Sequence, residues 1–251
     1  MKLFKFTLMA GLCALLPTGA LAAPGGGISG TDHDFTQGGF VSATAVGACT
    51  FCHTPHKAIT TQLLWNHTLS TNTFSWDIPK TTAGTNFASF KGDTYTGPTA
   101  RCLSCHDGSV AVGDIAWFND ASYPGGVGTQ PNKITGGHQI AKATGGMAGN
   151  HPVAMPYPYL NVGNTYNSVA TGAAATLTEW VPDPSANGIK MYNDASGSVT
   201  GGPTALKTGI ECSSCHEPHN GAAAKEDMFL RGMMTGSGQA SGYLCQQCHV
   251  K

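Results

Sequence analysis

Eight cysteines of this 251-residue chain fall into four Cys-x-x-Cys pairs, and a histidine follows each pair at once. The pairs are Cys49/Cys52, Cys102/Cys105, Cys212/Cys215 and Cys245/Cys248, and the histidines are His53, His106, His216 and His249. This spacing is the signature of covalent c-type haem attachment. Two thiols add across the haem vinyl groups as thioethers, and two intervening residues let both sulfurs reach one porphyrin edge. The next residue then lies under the ring, where its imidazole becomes the proximal iron ligand. Disulfide scaffolds, zinc sites and redox dithiols also use paired cysteines. None of them requires a histidine after every pair, so four c-type haems are the expected cofactors.

Six histidines remain: His33, His56, His67, His138, His151 and His219. Four irons with one proximal ligand each need four more ligands to be six-coordinate, and the supply covers that demand. The first and third motifs share an extension, Cys49-Thr-Phe-Cys52-His53-Thr-Pro-His56 and Cys212-Ser-Ser-Cys215-His216-Glu-Pro-His219. The second and fourth motifs lack it, so the chain reads as two tandem two-haem units. His56 cannot ligate the iron held by His53, because three residues do not reach around a porphyrin. It is better placed for the haem at Cys102/Cys105, and by the same logic His219 serves the haem at Cys245/Cys248. The opening haem of each unit then takes a ligand from upstream, His33 for the first and His151 for the second. The expected distal set is His33, His56, His151 and His219, with His67 or His138 as replacements at one iron. Met155, Met228 and Met233 are further alternatives, and a methionine ligand would raise that haem's potential.

The rest of the chain must position these groups. Lys2 and Lys5, the apolar run Phe6 to Leu16 and the small residues Ala20-Leu21-Ala22 read as an export signal covering 1–22. The run is too short to cross a bilayer, and a leucine before Cys13 argues against lipidation there. Without Lys2 and Lys5, eleven basic residues stand against fourteen acidic ones, a formal charge of −3 with no basic patch, which argues against nucleic acid as a partner. Thirty-four glycines and fourteen prolines, with 11% charged residues, describe a loop-rich chain with few long periodic segments. Something other than side chains is expected to fill its middle. The organisation expected is a first two-haem unit at 23–110, a connecting segment at 111–211 rich in Gly, Thr, Asn and Pro, and a second unit at 212–251. Gly25-x-Gly27-x-x-Gly30 matches a dinucleotide fingerprint but has no strand before it and no helical pattern after it, so it reads as a flexible leader. Asp107 and Glu217, beside motif histidines, read as supporting or surface groups.

The order of Asp32-His33-Asp34-Phe35, the first motif through His56, Leu64-Trp65-Asn66, Cys102-Leu103-Ser104-Cys105-His106-Asp107-Gly108, His151-Pro152-Val153 and the last two motifs resembles a known group. It is similar to the doubled Cys-x-x-Cys-His cytochromes of anaerobic, metal-respiring microbes, in particular their exported tetrahaem members. The resemblance implies a multihaem cytochrome c fold, mostly coil with short helices around the motifs, little regular sheet and a stack of bis-histidine haems as core. Some such proteins polymerise into extracellular filaments in which a histidine of one subunit completes a haem in the next. The function expected is electron transfer in extracellular or outer-surface respiration, with redox proteins or extracellular acceptors as partners and a homopolymer as one form. A soluble periplasmic shuttle is the alternative. A multihaem reductase, which needs one open iron, is disfavoured by the histidine count, so no enzymatic activity is expected.

Overall fold

A computed structural model describes residues 22–36, 47–56, 58–59, 62–75, 97–116, 133–141, 146–147, 149–167 and 178–250. All ten histidines and the eight motif cysteines lie in these stretches; apart from Ala22, the expected export signal with Cys13 lies outside them. Among the described residues no helix is long and apolar enough to cross a membrane.

Regular structure is sparse. Helix α1 spans Pro98–His106, with Pro98 in the first turn, where its missing N–H costs nothing. Helix α2 spans Cys212–Cys215, a single turn. Each therefore carries a Cys-x-x-Cys pair. The first and fourth motifs lie on short 3₁₀ turns, Ala48–Phe51 and Leu244–Gln247. Helix α1 ends at Asp107, and Gly108 follows with φ 70°. A Cβ there would stand 2.8 Å from the Ile134 carbonyl oxygen and 2.7 Å from Gln139 Nε2, so only glycine lets the 133–141 segment close on this motif.

The sequence leads us to expect little sheet, yet a small one forms within the connecting segment. Its strands are β1 (Met155–Pro156), β2 (Tyr192–Asn193), β3 (Thr200–Gly201) and β4 (Thr208–Ile210). They lie in the order β1-β4-β2-β3, antiparallel throughout, with Tyr192 opposite both Gly209 and Gly201 and Met155 opposite Ile210. Pro156 sits on the edge strand, where a missing donor is tolerated. Strands of two or three residues are too short to show an alternating pattern, which is why the sequence does not betray them.

Among the described residues apolar burial is divided among three small clusters. One gathers Phe74, Leu103, Met147, Tyr166 and Tyr192 beside α1; a second gathers Phe35, Phe51, Val112 and Ile115; a third gathers Tyr157, Ile189 and Met191 near the fourth motif. Several large apolar side chains are exposed, including Leu63 and Met228.

Candidate haem-binding centre

The four motifs follow one another in space as they do in sequence. Burial and then the neighbouring Cys52 raise the Cys105 thiol, which puts the second motif beside the first. Cys212 is raised by its hydrogen bond with Cys102, which puts the third beside the second. Cys215 is pushed up to about 11 by burial, then by Cys212 and Cys245, which puts the fourth beside the third. None of the eight motif cysteines is in a disulfide. Burial also pushes Cys52 and Cys248 up to about 12.

Glu211 welds the second motif to the third. Its side chain is fully buried and accepts hydrogen bonds from the Thr99 backbone N–H (3.0 Å) and the Thr99 hydroxyl, in the first turn of α1. The same residue is the N-cap of α2, where Ser214 Oγ accepts from its backbone N–H at 2.9 Å. Gly97, the N-cap of α1, makes no side-chain cap, so Glu211 serves two helix starts at once.

Each motif histidine is met by a returning segment. His53 donates from Nδ1 to the Leu63 carbonyl (2.6 Å), His106 to the His138 carbonyl (2.8 Å) and His216 to the Met228 carbonyl (2.8 Å). A carbonyl can only accept, so the proton sits on Nδ1 and the Nε2 lone pair is left for a metal. The first and third motifs do this in the same way. Thr54 N–H donates to Leu64 and Asn66 N–H to Cys52; correspondingly Glu217 donates to Phe229 and Arg231 to Cys215. In both, the turning dipeptide is left-handed: Leu63 and Leu64 at φ 57° and 50°, Met228 and Phe229 at 56° and 60°. Large side chains adopt this region at a cost of roughly 1–2 kcal/mol each, which marks the turn as serving a purpose. At the fourth motif Trp180 bridges His249, with Val181 N–H donating to Cys248 and Val250 N–H to Glu179.

Three motif histidines face a second imidazole. Ring centres are 6.1 Å apart for His53 and His219, 6.1 Å for His106 and His33, and 6.3 Å for His249 and His151. Two imidazole nitrogens bound trans at about 2 Å from one metal put their ring centres about 6 Å apart. The facing rings are oriented by the same device. His33 Nδ1 donates to the Pro218 carbonyl (2.9 Å) and His151 Nδ1 to Pro152 (2.8 Å), while His219 Nδ1 lies 3.3 Å from the Glu217 carboxylate. Burial holds His33 and His106 below the ordinary imidazole value, in the neutral form that ligates. Among the described residues, which include every histidine, no second imidazole stands opposite His216.

These pairings differ from those read along the sequence. His33 faces the second motif instead of the first, His219 the first instead of the fourth, and His151 the fourth instead of the third. His56 is exposed. His67 is buried, with its Nδ1 2.8 Å from the Thr68 carbonyl and its Nε2 2.9 Å from that of Ala111 and 3.3 Å from the Cys105 thiol, so both nitrogens are enclosed by protein groups. His138 is exposed and contributes its carbonyl to His106. Asp107 is buried, accepting from Asn72 Nδ2 (2.9 Å), Ser109 N–H (2.8 Å) and Ser70; it is a structural knot at the end of α1.

No family model matches this chain, and no curated protein does. The donor set is therefore judged on its own chemistry. Among the described residues no three His, Cys, Asp or Glu side chains converge as a metal cluster; what the chain presents instead is thiol pairs and opposed imidazole pairs. That set fits a haem, which needs two sulfurs at its edge and one nitrogen on each face.

Proposed function

We propose that this chain is an exported electron carrier that holds four c-type haems and passes electrons along them. The observation that carries this reading is the opposition of three motif histidines to second imidazoles at 6.1–6.3 Å. When bound, a haem iron supplies a reversible one-electron couple whose potential follows its axial ligands and burial. Cys49/Cys52, Cys102/Cys105, Cys212/Cys215 and Cys245/Cys248 would tether the groups by thioethers. His53, His106, His216 and His249 would bind one face, and His219, His33 and His151 the opposite face of the first, second and fourth. The carbonyls of Leu63, His138, Met228, Pro218 and Pro152 hold the rings so that Nε2 points away from the backbone. At the first, second and fourth sites two strong nitrogen ligands would leave no position for a substrate, which favours conduction over catalysis there. The succession of motifs in space gives a continuous row of sites. Three small apolar clusters, with exposed leucine and methionine at the left-handed turns, suit a fold whose interior is completed by prosthetic groups.

The third motif favours a filament over a soluble shuttle. No imidazole of its own chain faces His216, which suits the outer-surface polymer, in which a ligand crosses between subunits. Magnetic resonance of the oxidised holoprotein tests the electron-carrier reading. Low-spin signals from at least three irons are expected; high-spin signals from two or more would remove it. Electron microscopy of secreted material is expected to show filaments. Particles of monomer size in the unaltered protein would establish the shuttle instead.

A further inference from the structure

We propose that Asn220 is a positioning residue for the second haem: it clips the amino-terminal leader to the third motif so that His33 stands opposite His106. The inference rests on the reading of His33 as an iron ligand. His33 lies far in sequence from the residues that surround its ring: it faces His106, packs 4.7 Å from Phe229, and its Nδ1 donates to Pro218. Something must deliver it there. The leader that carries it, Ala23 to Gly27, is glycine-rich and has no strand or helix of its own.

Asn220 supplies the hold. Its side-chain oxygen accepts from Gly25 N–H at 3.1 Å, and its amide nitrogen donates to the carbonyls of Ala23 (2.9 Å) and Gly27 (3.1 Å). Its own carbonyl accepts from Gly27 N–H at 2.8 Å. The residue is buried and left-handed, φ 50°, a conformation that asparagine tolerates better than most residues. Gly25 and Gly27 meet it at φ 79° and 88°, which other residues adopt at a penalty. Four hydrogen bonds thus tie this one residue to three residues of the leader, Ala23, Gly25 and Gly27. The same short run of the third motif serves two sites: His219 faces His53, and one residue later Asn220 secures the segment that presents His33.

The test compares three variants of the full-length, haem-loaded protein, each checked by intact mass for four attached haems. Asn220→Gly keeps the left-handed backbone and removes the amide. Gly27→Ala strains the leader from the other side, and His33→Ala removes the ligand itself. All three are expected to turn one iron more high-spin than in the unaltered protein and to bind about one equivalent more of cyanide, with added imidazole reversing the change. Asn220→Asp, which keeps the acceptor for Gly25 and loses both donors, is expected to fall between. If His33→Ala leaves the spin states of the unaltered protein, the ligand reading beneath the proposal is wrong. If His33→Ala behaves as expected while Asn220→Gly matches the unaltered protein, the clip alone is wrong. Loss of haem, or high-spin character at more than one further iron, in Asn220→Gly would make the residue a general support of the fold and likewise overturn the proposal.

Discussion

At the scale of the residue, the orientation of each imidazole decides its role more than its place in sequence. His219 stands three residues after His216 and, read linearly, belongs to the haem that follows. Its ring is stacked 6.1 Å from His53 instead. His219→Ala should therefore turn the iron tethered at Cys49/Cys52 high-spin and leave the one at Cys245/Cys248 unchanged. Site-resolved magnetic resonance of the oxidised protein reads the difference, and an altered fourth iron would restore the linear assignment. His67 gives the opposite case. Buried with carbonyls at both nitrogens, it is a packing and hydrogen-bonding residue. His67→Leu should lower stability by about 1–3 kcal/mol, because it takes the imidazole N–H from a buried backbone carbonyl, while the haem spectra stay as they were. A new high-spin iron in that variant would make His67 a ligand.

At the scale of the element, short pieces are held by polar contacts in place of long apolar faces. A single-turn helix such as α2 has no stability of its own, and α1 starts at a glycine that caps nothing. Glu211 supports both starts and fixes the second motif against the third. Glu211→Ala removes a cap from two helices at once. We expect a loss of about 2 kcal/mol, seen as a drop of several degrees in thermal midpoint, with Glu211→Gln costing less because it keeps an acceptor. An unchanged midpoint in the alanine variant would show that the weld carries no load. The returning turns at Leu63-Leu64 and Met228-Phe229 act at the same scale. They place a carbonyl at a motif Nδ1, and they hold large apolar side chains in a backbone region those residues seldom occupy.

At the scale of the whole molecule, the third motif's extension reaches back to the first two: His219 faces His53, and the Pro218 carbonyl holds His33 where it faces His106. A chain stopped at residue 167, with its own export signal, keeps the first two motifs but loses Pro218, His219 and Asn220. It should carry two haems with high-spin iron. Two fully low-spin haems in that fragment would show that the first unit stands alone. The proposed attachment motifs were legible in the sequence because that chemistry is local: two thiols and an imidazole must lie within five residues. The facing rings were not, because they are delivered by tertiary structure: adjacency in sequence set His33, His151 and His219 beside other motifs than the ones their rings face. Nor were the left-handed turns, since leucine, methionine and phenylalanine carry no turn signal. Asn220-Gly221 does carry one, and it could have drawn attention to the clip. The glycine leader, read as flexible, is folded onto that asparagine.

The intact mass of the exported, purified protein tests the central claim most directly. The account predicts the processed polypeptide plus four haem groups, retained under denaturing conditions because the bonds are covalent. A mass equal to the bare processed chain would contradict it.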